Sequence, residues 1–195
     1  MLADYKIWIG IIAAVMTLAA HIPYLIDTWR GTNKPHMFTW IIWTLLTFIM
    51  LAAQVTGGAG AGAWSTGMVL IPCGAIMFLS FTWRGEKDIT RSDWIMFVAG
   101  IASIPLWAVT DDPLWSVILI CAIDALAFGP TFRKAWRKPH EEATFMYGLN
   151  VPRHALATLA ISHYSLVTAL YPVMLVVMNA AMYLMLKLRR RTILT

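Results

Sequence analysis

The sequence predicts an all-α integral membrane protein: seven transmembrane helices, built as two parallel three-helix repeats joined by a linker helix (3-1-3). Three observations predict it. The chain of 195 residues is 59% hydrophobic and only 13% charged, with a mean hydropathy of +0.68, a balance foreign to soluble domains. Its basic residues gather in every second connection between apolar runs. And one set of landmarks occurs twice in the same order.

The apolar runs come first. A helix needs roughly 20 residues to cross a bilayer, and such runs fall at 7–26, 38–55, 63–83, 94–109, 114–132, 144–161 and 166–186. The fourth is short and the sixth carries the most polar residues. None alternates with the period of a barrel strand, which leaves helices as the spanning element. The first run reads as a retained helix, because no basic n-region precedes it and no small-residue cleavage site follows it.

Charge sets the expected orientation. Arg30 and Lys34 lie between runs one and two; Arg84, Lys87 and Arg91 between three and four. Arg133, Lys134, Arg137 and Lys138 lie between five and six, and Lys187, Arg189, Arg190 and Arg191 follow the seventh. The connections at 56–62, 110–113 and 162–165 hold no Lys or Arg. The positive-inside rule then places the N-terminus outside and the C-terminus in the cytoplasm of a multi-pass protein of the inner (plasma) membrane. The net charge of +5 is a topology signal, and nucleic acid is excluded as a partner because no soluble basic surface remains.

The repeated landmarks divide the chain. Pro23 to Trp29-Arg30 is followed shortly by Lys34-Pro35-His36; Pro130 to Trp136-Arg137 runs directly into Lys138-Pro139-His140. Downstream, Trp64-Ser65 and Tyr164-Ser165 precede Pro72 and Pro172 by the same interval. The units are residues 1–83 and 113–195, the second ending in a basic tail. Between them, 84–112 forms a cytoplasmic loop and the linker helix. An odd helix between two units that both begin outside makes the repeats parallel, related by an axis along the membrane normal.

This arrangement, with a proline ending the first helix of each repeat before a basic loop, resembles the PQ-loop superfamily, which includes the SWEET sugar facilitators and the cystinosin-like amino-acid exporters. The Pro-Gln dipeptide itself is absent, since Pro23 precedes Tyr24 and Pro130 precedes Thr131. The resemblance implies a transporter from a prokaryotic branch of the superfamily. It also implies roles. Asp124 resembles the acidic residue that couples transport to protons in the cystinosin-like exporters. Asn179 resembles one of the asparagines with which SWEETs bind sugar, its repeat-mate being Leu79. Trp43, set opposite Tyr147, resembles the aromatic walls of the SWEET site.

The residues themselves point to run six. Asn150, Arg153 and His154 stand near its centre beside Pro152, where a central arginine costs about 2.5–3.5 kcal/mol unless it faces protein or water. Tyr147, Asn150 and His154 share one helical stripe. They line a substrate site, clamp neighbouring helices, or, for Arg153, snorkel to the interface. Asp124 is the sole acid within a predicted span. Paired with Arg153 it is structural; unpaired it is placed to carry a proton. Thr17 stands at its place in the first repeat. Trp40, Trp43, Thr44 and Thr47 share a face of run two, with Trp40 equally suited to an interfacial belt beside Trp29, Trp83, Trp94, Trp115 and Trp136. Pro23, Pro72, Pro130 and Pro172 bend their helices, either as hinges for alternating access or as fixed packing bends.

The histidines, His21, His36, His140, His154 and His163, have no paired metal spacing. His36 and His140 are expected at the inner interface. Cys73 and Cys121 read as small packing residues. No metal or cofactor is expected, and no nucleophile–base set or phosphate cradle marks an enzyme. The function expected is a small-solute transporter, facilitative or proton-coupled, with a midplane site between the repeats and an anionic or zwitterionic substrate. The alternatives are a sugar or nicotinamide-riboside-type vitamin facilitator, and, from another class, a seven-helix sensor or adaptor. The partners are a small-molecule substrate and the lipid bilayer, with a homo-oligomer left open.

Overall fold

A computed structural model describes residues 2–56, 64–109, 113–159 and 165–193. Over these residues the chain is all-helical: α1 (Leu2–Arg30), α2 (Met37–Thr56), α3 (Trp64–Ser80), α4 (Arg91–Ala108), α5 (Pro113–Arg137), α6 (Thr144–Leu159) and α7 (Leu166–Thr192), with a 3-10 turn at Pro139–Glu141. Each apolar run of the sequence has its helix. Residues 57–63 and 110–112, and His163 with Tyr164, lie outside the described residues. Two segments, Ile11–Arg30 and Ala169–Thr192, are long and apolar enough by themselves to cross a membrane; Met37–Phe48 and Gly67–Ser80 are shorter apolar stretches.

The prolines do not end helices. Pro23 and Pro130 lie inside α1 and α5, which continue to Arg30 and Arg137, past the ends at 26 and 132 that the sequence suggested. Pro72 and Pro172 likewise lie inside α3 and α7. A proline forfeits one backbone donor and crowds the turn before it, but tertiary packing holds the turns that follow. Tyr24 and Thr28 after Pro23 are buried, as are Thr131, Lys134 and Ala135 after Pro130.

The two loops that looked alike end their helices differently. α1 closes on Gly31, whose φ of 78° is the left-handed conformation that costs a glycine least. Its N–H bonds the Thr28 carbonyl and that of Thr32 bonds Asp27, both at 3.0 Å, a Schellman closure. α5 has no such glycine. Its last N–H bond, Lys138 to the Lys134 carbonyl at 2.8 Å, comes directly before Pro139. Lys34-Pro35-His36 therefore stands at the end of its loop and Lys138-Pro139-His140 at the start of its own. The helix ends, and with them Pro23 and Pro130, keep a common register that this loop motif breaks.

Packing follows one pattern. α3 packs against α1 and α2, α7 against α5 and α6, α1 against α6, and α2 against α5; α4 lies on α5 and, less extensively, on α2. Exchanging α1, α2 and α3 for α5, α6 and α7 maps the contacts among these six helices onto themselves. Across α2 and α5, Thr131 donates to Thr39 Oγ1 at 2.8 Å, and Thr39 donates to the Ala127 carbonyl at 2.6 Å.

The burial pattern is inverted. The described residues bury nearly as many polar or charged side chains as apolar ones, while Phe48, Ile71, Phe78, Ile95, Val98 and Leu184 are exposed. Soluble folds rarely bury charge so freely. Of the tryptophans assigned to a belt, Trp29, Trp83, Trp94, Trp115 and Trp136 are exposed. Trp40 is not: it is buried, with its ring 5.1 Å from both Tyr24 and Trp43.

Candidate functional site

A cavity of about 280 Å³ lies among α1, α2, α3, α5, α6 and α7, with α4 contributing nothing to its lining. Helical spacing puts Thr17 and His21 of α1 on one side and Asp124 and Phe128 of α5 on the other; Trp43 and Thr47 come from α2, and Asn150, Arg153 and His154 from α6. Val69 and Cys73 of α3 and Tyr171, Leu175 and Asn179 of α7 complete it. Six of the residues singled out from sequence thus meet: Trp43, Asp124, Asn150, Arg153, His154 and Asn179.

Tyr147 is the exception. It is fully buried, its hydroxyl donates to Glu142 Oε1 at 3.2 Å, and it does not line the cavity. The sequence paired it with Trp43 through the Lys-Pro-His motif, which is out of register with the helices. Counted from the helix starts, Trp43, Leu46 and Thr47 on α2 match Asn150, Arg153 and His154 on α6, and all six line the cavity. The same count moves the counterpart of Asn179 from Leu79 to Met77 and sets Pro72 and Pro172 at different places along α3 and α7.

Arg153 and Asp124 do not pair. The Arg153 Nη1 donates to Thr17 Oγ1 at 2.7 Å, and its Nη2 lies 2.7 Å from His154 Nε2. A guanidinium can only donate, so His154 Nε2 accepts. The Nε of Arg153 is buried with no hydrogen-bond partner. Asp124 is 3% exposed and its Oδ2 has no hydrogen-bond partner. Trp43 Nε1 is close enough to interact with this carboxyl but does not meet hydrogen-bond geometry with it or with any other group. Asn150 Oδ1 is a further buried orphan, whereas the Asn179 amide donates to the Leu175 carbonyl of its own helix at 2.8 Å. The cavity therefore holds one cationic donor, one acid and one amide acceptor, all with unused capacity.

Sequence reasoning passed over His21, Cys73, Phe128 and Tyr171 as lining residues. His21 Nδ1 sits 2.8 Å from the Thr17 carbonyl, the i−4 position. Tyr171 had a usable signal: with Leu175 and Asn179 it forms a stripe on α7 at intervals of four residues. Phe128 stands against Trp43, ring centroids 4.7 Å apart. Cys73 and Cys121 are free thiols, with Cys73 buried.

Toward the end where the basic segments gather, the cavity is followed by a buried layer that includes Tyr24, Trp40, Tyr147, Met182 and Leu186. Beyond it the buried carboxylates are paired. Lys134 and Glu142, 1% and 0% exposed, meet at 2.9 Å, and Lys134 also donates to the Glu141 carbonyl. Lys138 meets Glu86 and Lys34 meets Glu141, each at 2.8 Å. Arg133 reaches Asp93 through Nε at 2.8 Å and Nη2 at 2.6 Å. His36, expected at an interface, is buried with Nε2 3.4 Å from Asp93 Oδ2; His140 is exposed and its Nε2 lies 3.1 Å from the Ile193 carbonyl. Burial pushes the Asp93 carboxyl up, but the hydrogen bonds from Arg133 and Thr90 outweigh it and hold Asp93 below its ordinary range. Glu86 behaves alike, burial being outweighed by Lys138 and the backbone N–H of Asp88. Burial lowers the His36 pKa despite Asp93.

No family model matches the chain, and no curated protein or solved structure matches it.

Proposed function

We propose that this chain is a seven-helix membrane transporter for a small solute, with 3-1-3 architecture, a binding site at the pseudo-symmetry axis, and a PQ-loop or SWEET-like ancestry. The observation that carries the proposal is the central cavity, lined from all six helices of the two units and holding Arg153 and Asp124 without pairing them. Buried charge left without a partner is costly, and intramembrane ionisable groups are functional by default. A membrane setting is supported by the inverted burial, the two long apolar segments and the contacts that join the four basic segments at one end. The contact pattern that survives exchange of the two helix triplets supports the duplication.

The substrate carries a carboxylate or similar anion for Arg153, and a donor, in the zwitterionic case an ammonium, for Asp124 and Asn150. Protonation of Asp124 would let the same cavity run on a proton gradient. The edge-on contact of Trp43 and Phe128 favours a second reading, a facilitator whose substrate presents a ring or sugar face to these aromatics. Purified protein in proteoliposomes, offered labelled small carboxylates, zwitterions and sugars, tests both. Saturable uptake that Arg153→Gln removes supports the first. Sugar uptake indifferent to Arg153 supports the second, and no uptake of any class sinks transport.

A further inference from the structure

At the basic end, between the start of α6 and the last turns of α7, lies a second cavity of about 480 Å³ that shares no residue with the central one. Its polar lining is rich in donors. Lys187 places its ammonium 5.6 Å from the Tyr183 ring centroid and meets no carboxylate at ion-pair distance among the described residues. Arg190 uses Nε and Nη2 on the carbonyls of Pro139 and Glu142, which leaves Nη1 outside those bonds. Asn33, 5% exposed, lines the cavity with its Nδ2 lacking any hydrogen-bond partner.

Thr144 opens α6, and its buried Oγ1 is also unpartnered. The unsatisfied N–H groups of a helix's first turn and the positive end of its dipole favour an anion there. A smaller adjoining cavity, lined by Thr144, Lys187, Arg190 and Arg191, adds a third cation. Asp27 is the carboxylate on the lining, and its repulsion suits a headgroup with one phosphate better than one with several. Phe145, itself on the lining, and Leu184 and Leu188, which follow the lining residues Tyr183 and Lys187 in the chain, are 59%, 58% and 62% exposed, an apolar flank to a cationic pocket.

We propose that this cleft binds the phosphate of a glycerophospholipid headgroup, with the acyl chains lying along Phe145, Leu184 and Leu188. Basic clefts between helices at the cytoplasmic side hold anionic headgroups by the same physics. The site needs the chain to sit in a bilayer, but it does not need the central cavity to carry a solute.

The test uses the full chain purified in detergent, probed by native mass spectrometry and by melting with short-chain phosphatidylglycerol or inorganic phosphate. The parent should retain one phospholipid, and the lipid should raise its Tm. Lys187→Gln with Arg191→Gln should weaken retention about thirtyfold, from the usual worth of a basic residue at a lipid surface. Arg84→Gln, at the same end but stacked on Trp29 and Trp83, should leave retention unchanged. Equal retention by the double variant overturns the site, and equal loss in Arg84→Gln reduces it to diffuse charge. A Tm rise with inorganic phosphate as large as with lipid overturns the lipid as occupant. Uptake by Lys187→Gln/Arg191→Gln and lipid retention by Arg153→Gln are read separately, so failure of transport and failure of this site are distinguishable.

Discussion

The central cavity and the basic end treat buried charge in opposite ways. At the basic end Lys134 faces Glu142, Lys138 faces Glu86 and Arg133 grips Asp93 with two nitrogens. In the cavity Asp124 Oδ2, Asn150 Oδ1, Trp43 Nε1 and Arg153 Nε are left without hydrogen bonds. Removing a charge from water costs several kcal/mol, which a close partner offsets. A fold that gives the buried carboxylates Asp93, Glu142 and Glu86 each a cationic partner at one end, and leaves Asp124 without one a few turns away, uses the first set to hold helices. The second set is the one that the proposed transport would use. The same residue types serve both purposes, and only their partners separate them.

The comparison breaks most visibly at the paired end. Lys134→Met strands Glu142 in the interior and should destabilise the protein by about 3–5 kcal/mol. Thermal melting in detergent should register this as a large fall in Tm, with Lys134→Met/Glu142→Leu recovering much of it. A melting curve unchanged by Lys134→Met would show that the buried pair holds nothing together.

Arg153→Gln should do the reverse, leaving the Tm near that of the parent while weakening substrate affinity about 10- to 100-fold, the worth of a charge-assisted hydrogen bond. Competition binding on purified protein checks it. A large Tm loss with intact affinity would move Arg153 into the structural class. Asp124→Asn should keep exchange of substrate across the membrane and abolish any stimulation of uptake by a pH gradient, measured in proteoliposomes with imposed gradients. Stimulation that persists would rule Asp124 out as the proton carrier.

Acid should act through the paired end. Asp93 and Glu86 have folded pKa values below their unfolded ones, so their stabilisation is complete above the ordinary carboxylate range and lost as pH falls through the folded values. The His36 pKa is also lowered, so the unfolded chain takes its proton first and stability declines as pH drops below about 6.5. Tm should therefore fall on acidification in a shallow step that His36→Gln removes, then in a steeper one that Asp93→Asn and Glu86→Gln reduce. The smallest effect belongs to Arg137, 57% exposed and 2.9 Å from Asp88: Arg137→Gln should change stability by about 0–1 kcal/mol. A larger change would show the rim of the network to be coupled to its buried centre.

Sequence by itself determined the seven helices, because each is a long apolar run bounded by charge, glycine or proline, and these are local properties. It also grouped Trp43, Asp124, Asn150, Arg153, His154 and Asn179, which line one cavity, since polar groups in apolar helices have few places to go. Tertiary structure alone decided the register between the two units. Gly31 adds a left-handed closure to one loop that the other lacks, so the repeated Lys-Pro-His motif misaligned the helices by most of a turn and put Tyr147 where Asn150 belongs. Tertiary structure also decided which charges pair. A hydrogen bond depends on a few tenths of an ångström between residues far apart in the chain, and no one-dimensional pattern records that Arg153 reaches Thr17 while Asp124 is left open.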